Sequence, residues 1–368
     1  MKRFASALLA TWRRELYATF LSPIYYVLAA VFLIAEGYGF AMLCQALSDG
    51  GASVGLVLRH LFGGSLLFFL LLLLLVALLT MRLFAEERQS GTLELLLTSP
   101  APEGALVLGK YLGALTAYAG LFVPTLAYVG LLAAHASDPH ALDAGAIVTG
   151  YFGLLLFGVS ALALGLLFSL IAPTQLLAAA LTFVALALWL FAGLAREHAA
   201  VPDALRSFFD RASPFAHLEA LSQGIVDGGS VLLHLLVAAA ALVFSSRLLR
   251  RRQGALPPRP QLALLGEGAL LLAIFVAAQG LLAPRLSRID VSSKQQYALS
   301  PRTQAALHAL SQRQKLVHAT LVRPPPGELD ELWDQTTELV RFAESAARGR
   351  FHFSTLRLDR AETAPQTI

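Results

Sequence analysis

The residues best suited to chemistry or recognition lie in one polar segment, 82–100, between two long apolar stretches. Gly91 permits a sharp turn, Thr92 and Glu94 suit the first turn of a helix, and Pro100 ends that helix. One face of the helix would be apolar, formed by Leu93, Leu96 and Leu97. Such a helix could dock into a groove on a partner protein, or the segment could be a loop that only connects its neighbours.

A second segment, 104–110, has the spacing of a phosphate-binding loop, with Gly104, Gly109 and Lys110. That loop needs a Ser or Thr after the lysine to hold magnesium, but Tyr111 stands there, and the segment leads into an apolar stretch. Nucleotide binding is therefore not expected here. Lys110 is expected to lie at the level of the lipid headgroups, at one end of a membrane helix.

One ionisable residue, Glu36, falls near the middle of the first apolar stretch. A carboxyl group is costly inside a membrane, so Glu36 is a candidate contact for a substrate or a proton. Alternatively, Glu36 is protonated or faces a helix interface, where the small Gly37 and Gly39 let helices approach.

The remaining polar residues do not form a recognisable catalytic or metal site. The histidines at 135, 140, 198 and 217 lie in predicted outer loops without the paired spacing of metal ligands, and His234 is expected to pack between helices. The sequence supports no paired catalytic carboxylates in one loop, no Ser-His-Asp arrangement and no HExxH motif. We therefore expect no catalytic residue, no metal and no cofactor on this chain.

The composition indicates a membrane protein. Of the 368 residues 57% are hydrophobic and 14% are charged, where a soluble chain has about 25% charged residues. The net charge of +4 comes from basic residues beside the apolar blocks, and without a basic stripe nucleic acid is not an expected partner. The single cysteine, Cys44, excludes an internal disulfide.

Apolar blocks long enough to cross a bilayer predict roughly seven spans. They lie at 24–47, 61–81, 105–134, 146–172, 175–195, 231–249 and 262–282. Residues 1–22 precede them as an amphipathic helix expected to lie in the cytoplasmic membrane interface. A proline-rich linker, 253–261, separates the first six spans from a seventh, 262–284.

Lys and Arg in the short loops predict a cytoplasmic N-terminus and an extracytoplasmic C-terminus. Basic residues cluster at 2–14, 82–88 and 247–259, and the weak point is three arginines in the predicted outer segment 196–230. Residues 285–368 would then lie outside. There, a strand at 315–323, a helix at 328–348 and a strand at 351–358 predict one βαβ unit, too small for an independent core. Either the chain stops inside a domain, or another subunit completes it.

The run Glu87-Arg-Gln-Ser-Gly-Thr-Leu-Glu94, followed by Ser99-Pro100 and Gly109-Lys110, resembles the signature of type 2 ABC-transporter permeases. Residues 212–217 and 224–227 are similar to the permease subunit of gliding-motility-associated ABC transporters, and this resemblance spans 1–252. Residues 289–303 resemble the start of the auxiliary subunit of the same system. Permease and auxiliary subunit would be fused in this chain.

The resemblance implies an all-α polytopic fold: a six-helix permease bundle at 23–252, a seventh span and a small α/β extracytoplasmic segment. It implies a bacterial cytoplasmic membrane protein that pairs with a second permease copy, identical or different, and binds a dimer of cytosolic ATPase subunits. ATP and magnesium would reside on that partner. The coupling helix, about 82–103, would contact it through Glu87, Arg88, Gly91, Thr92, Leu93, Glu94 and Pro100.

Two other functions fit the same sequence. In the first, the spans anchor an extracytoplasmic domain and transmit force from ATP use, without transported cargo. In the second, the chain is a membrane-embedded acyl- or glycosyl-transferase, which would need catalytic residues clustered at one membrane face. The cargo of an exporter does not follow from the sequence.

Overall fold

The computed structural model describes residues 2–48, 61–62, 66–98, 101–135, 142–194, 212–252, 288–293, 317–323 and 351–357, and single positions between 266 and 343. These residues are mostly helical. Their helices are α1 (Lys2–Phe20), α2 (Pro23–Ser48), α3 (Leu66–Thr80), α4 (Arg82–Gln89), α5 (Leu93–Leu97), α6 (Glu103–Phe122), α7 (Leu126–His135), α8 (Ala144–Ile171), α9 (Gln175–Leu194), α10 (Pro214–Ser222) and α11 (Gly228–Arg252).

Five helical stretches among the described residues are long and apolar enough to cross a membrane. They are Pro23–Ser48, Leu67–Gln89, Glu103–His135, Ala144–Ile171 and Gly228–Arg251, and Gln175–Phe191 is a shorter apolar helix. The chain is thus a helical, multi-pass membrane protein. The predicted linker and most of the predicted seventh span, 262–284, lie outside the described residues.

Helix α8 lies at the centre of the bundle, where it packs against α3, α4, α6, α9, α10 and α11. Glycines on α8 make this packing possible, because a Cβ atom at Gly158 would lie 2.3 Å from the Tyr118 ring and one at Gly165 would lie 2.2 Å from the Thr80 hydroxyl. Small residues at such crossings let membrane helices approach closely. The surrounding core is aromatic, with Phe69 and Phe157 edge to face at 5.4 Å.

Helix α1 lies along α6. A Cβ atom at Gly109 would lie 2.6 Å from the Thr11 Cβ, and one at Gly113 would lie 2.6 Å from the Glu15 Cβ. Thr11 and Glu15 are four residues apart and therefore share one face of α1. This face of the amphipathic helix is covered by protein.

Two pairs of strands are described. β1 (Ile225–Asp227) pairs antiparallel with β2 (Arg288–Asp290), with Val226 opposite Ile289. β3 (Val317–Arg323) pairs parallel with β4 (Phe351–Arg357), with Val317 opposite Phe351. A parallel pair needs a crossover connection, and the predicted helix 328–348 lies mostly outside the described residues.

Candidate functional site

The polar segment forms two helices joined by a turn, where the sequence predicted one short helix. Helix α4 continues from α3 after a break at Met81, and α5 follows Gly91. Gly91 has φ +72°, a left-handed conformation that glycine adopts without steric cost. The turn therefore separates a helix packed on the bundle from a short helix at its end.

Ser169 of α8 holds the start of α4. Its hydroxyl oxygen accepts hydrogen bonds from the backbone N–H groups of Phe84 at 3.0 Å and Ala85 at 3.1 Å. The same hydroxyl donates to the carbonyl of Met81 at 3.1 Å. The first N–H groups of a helix have no partner within the helix, so Ser169 supplies a cap from a neighbouring helix.

Arg88, near the end of α4, contacts the same C-terminal end of α8 that carries Ser169. Its guanidinium donates to the carbonyl oxygens of Ile171 at 2.6 Å and Ala172 at 2.9 Å. The last carbonyls of a helix lack partners and carry partial negative charge, so a cation there is favourable. Arg88 and Ser169 together fasten α4 to the final turn of α8.

A cluster of four charged side chains joins α1, α4 and α6. Lys110 Nζ lies 2.8 Å from Glu15 Oε1 and 3.0 Å from Glu87 Oε1. Arg14 pairs with the same two carboxylates. The Lys110 side chain is 2% exposed, so the expectation that it reaches the lipid headgroups was wrong. It lies instead over the Phe84 ring, 5.0 Å from the centroid.

The charges of this cluster balance, with two cations on two carboxylates. Burial alone would lower the pKa of Arg14, but its hydrogen bond to Glu87 and the nearby charges of Glu15 and Glu87 raise that pKa above its ordinary value. Arg14 thus stays protonated. A buried carboxylate without such partners would carry a large desolvation cost.

The structure divides the predicted contact residues into two groups. Glu87, Arg88 and Leu93 face the protein, and Leu93 is buried. The exposed residues are Gly91, Thr92 and Glu94. Pro100 lies outside the described residues. Leu95, which is 74% exposed on α5, is not among the predicted contact residues.

Arg14, Glu15 and Ser169 were also missed. The sequence does contain a signal for the Glu15 contact. Thr11 and Glu15 are four residues apart on α1, and Gly109 and Gly113, also four apart, allow a close helix contact. Ser169 had none, since a serine in an apolar helix looks the same whether or not it caps a neighbour.

Glu36 lies inside the bundle. The side chains beside it include Phe32, Phe62, Phe68 and Thr125, which line a small cavity with it. Gly37 faces α7, where a Cβ atom would lie 3.0 Å from the Tyr128 hydroxyl. The carboxyl group therefore faces the protein interior, next to a helix contact that the glycine permits.

His217 is buried in α10, although the sequence placed it in an outer loop. Its ring centroid lies 5.5 Å from that of His234, and His234 Nδ1 lies 2.7 Å from the Ser160 hydroxyl. His234 is a helix-packing residue. Within the described part of the chain, no group of three potential metal ligands comes together.

The described helices include several that are long and apolar enough to span a bilayer, and they pack around α8. At one end of this bundle, hydrogen bonds and ion pairs join the helices to the polar segment. This arrangement is that of a multi-pass membrane protein. A family model described as ABC-2 family transporter protein matches residues 10–253. The match covers more than half of the chain, and the chain belongs to this family. It is thus the membrane component, or permease subunit, of an ABC-2 type transporter, a class that works with an ATPase subunit. None of the curated proteins compared with the chain matches it.

Proposed function

We propose that this permease is part of an exporter and that α4, Gly91 and α5 form its coupling element, which receives motion from a dimer of cytosolic ATPase subunits. The observation that supports this role is the two-sided character of the element. One side is fastened to three helices through Glu87 and Arg88, and the other exposes Thr92, Glu94 and Leu95. An apolar residue beside a charge suits docking into a groove.

Motion of α5 would reach the bundle by two routes. Arg88 passes it to the end of α8, and the contact between Glu87 and Lys110 passes it to α6. Because packed helices change between discrete arrangements rather than deform continuously, a push at this end would switch the bundle between two states. ATP hydrolysis itself takes place on the partner.

The exporter would include a second permease copy and lie in a bacterial cytoplasmic membrane, with α1 and the coupling element in the cytoplasm. Residues 285–368 would begin an auxiliary domain outside, after a linker at 253–261 and a span at 262–284. Glu36, inside the bundle, would contact a substrate or a proton. Gliding motility or cell-surface export is the process that the sequence resemblance favours.

The test is Glu94→Lys in the full chain, co-expressed with the ATPase that purifies with it. We expect loss of ATPase binding and of ATPase stimulation, because the reversed charge lies on the exposed side, while membrane insertion and thermal stability stay unchanged. Glu94→Gln should have a smaller effect. Arg13→Glu reverses a charge at an exposed position of α1 and serves as the control. Unchanged co-purification and stimulation with Glu94→Lys would contradict the coupling role.

A force-transmitting anchor is the second candidate, because residues 288–293 are docked on the bundle. In that case truncation after Arg252 abolishes function, while Glu36→Gln is tolerated. If the protein is an exporter, Glu36→Gln should instead abolish export. Surface export or motility measured with both variants separates the two functions.

A further inference from the structure

Residues 288–293 lie across the end of the bundle at which α8 and α11 begin. We call this segment the strap. Its first three residues form β2, which pairs with β1 just before α11. The backbone N–H of Val291 then donates to the carbonyl of Gly224 at 2.9 Å. The strap thus lies alongside the turn that joins α10 to α11.

Two glycines make room for the strap. A Cβ atom at Gly145 would lie 2.0 Å from the carbonyl oxygen of Val291, which no side chain could tolerate without displacing that backbone. Gly224 has φ +89°, and a Cβ atom there would lie 3.0 Å from Ser292. The close approach of backbone to backbone at Gly145 is the kind of contact for which glycine is required.

Each end of the strap contacts a carboxylate that caps a helix. Asp143 caps α8 by accepting from the N–H of Ala146 at 3.1 Å, and the same oxygen accepts from the N–H and hydroxyl of Ser293 at 3.0 and 2.9 Å. Asp227 accepts from the N–H of Ser230 at 3.2 Å in the first turn of α11. The Arg288 guanidinium lies 3.7 Å from its other oxygen.

The strap therefore connects two helix starts by the groups that already stabilise them. We propose that residues 288–293 hold the first turns of α8 and α11 together, so that these helix ends separate only when the strap detaches. The turn at 224–227 with Asp143 and Gly145 is the surface that binds it, and an extended segment with an arginine at one end and a serine at the other is what this surface fits. The inference is independent of the coupling role.

The first test is a disulfide in the Cys44→Ser background. Opposed residues of antiparallel strands have Cα atoms about 4.5–5.5 Å apart, which a disulfide can span. Val226→Cys with Ile289→Cys should cross-link rapidly in membranes treated with copper phenanthroline. Val226→Cys with Val291→Cys, two residues out of register, is the matched control. Absence of the first cross-link, or equal cross-linking of both pairs, would overturn the proposal.

The second test measures whether the strap holds both helices. Amide hydrogen exchange is followed in the solubilised full chain with Arg288→Ala and, separately, Ser293→Ala, both of which leave the caps Asp143 and Asp227 in place. Each variant should raise exchange several-fold in the first turns of both α8 and α11, including the helix that the changed residue does not touch. An increase confined to the nearer helix, or none, would refute a shared restraint. Gly130→Ala, which meets no atom of the described residues within 4 Å, controls for nonspecific loosening.

Discussion

Lys110 and Glu15 pair at 2.8 Å across the contact between α6 and α1. The pair is possible because Gly113 brings the two helix backbones close together. Glu87 of α4 pairs with the same ammonium group. The Lys110 side chain therefore links α1 to α4, the helix that precedes the Gly91 turn. A change at one of these side chains is expected to affect all three helices.

Replacing Lys110 by Met should destabilise the protein strongly. It leaves two largely buried carboxylates with Arg14 as their remaining cation in the cluster, and breaking a buried ion pair costs about 3–5 kcal/mol. Thermal unfolding of the detergent-solubilised protein measures the loss. Arg250→Ala is the control, because Arg250 is 57% exposed where it pairs with Glu103, and exposed pairs contribute about 0–1 kcal/mol. Equal shifts in the two variants would show that the cluster has no special stability.

Ser169→Ala should loosen the start of α4. The substitution removes the acceptor for two backbone N–H groups, and the loss of a helix cap costs about 0.5–2 kcal/mol. Hydrogen exchange at Phe84 and Ala85 should rise. Ser246→Ala is the matched control, since that hydroxyl bonds a carbonyl of its own helix. If exchange at both residues stayed at its original rate, Ser169 would not be a cap.

Gly113→Ala should push α1 away from α6. The added Cβ would lie 2.6 Å from the Glu15 Cβ, an atom fixed to the backbone that cannot swing aside. In the Cys44→Ser background, Thr11→Cys reports the displacement, because Thr11 is 8% exposed and should become reactive to a maleimide. Gly39→Ala, which meets no atom of the described residues within 4 Å, should leave the cysteine protected. Protection in both variants would argue against tight packing of α1.

Much of the membrane architecture could be predicted, because uninterrupted apolar runs are a strong signal for spanning helices. The division of the polar segment was harder to predict. Leu83 and Leu93 look alike in the sequence, and only packing shows that both are buried on different sides of the Gly91 turn. His217 was expected in a loop, but it lies in the short helix α10, whose apolar residues Leu218 and Leu221 pack it into the bundle.

The charge cluster could not be predicted from the sequence, for another reason. Glu15, Glu87 and Lys110 are far apart in the chain, and local patterns give no information on which helix faces meet. A lysine beside an apolar run, such as Lys110, therefore predicts a residue at the lipid surface. Ion pairs between distant helices depend on tertiary contacts that spacing alone cannot reveal.

Cysteine labelling should report opposite faces of the membrane for the two ends of the bundle. With Cys44→Ser, a cysteine at Arg250 should react with a membrane-impermeant maleimide from the cytoplasmic side, and one at Ser293 from the other side. The expectation rests on the proposed orientation and on Ser293 contacting the start of α8 while Arg88 contacts its end. Labelling of both cysteines from one side would contradict it.

Helix α8 is one uninterrupted helix of 28 residues, about 42 Å long at 1.5 Å per residue. Arg88 grips its last carbonyls and Ser293 grips its first cap. These two contacts therefore lie at opposite ends of one uninterrupted helix. If α5 receives motion from an ATPase, as proposed, α8 is the helix that connects that contact to the surface on which residues 288–293 lie.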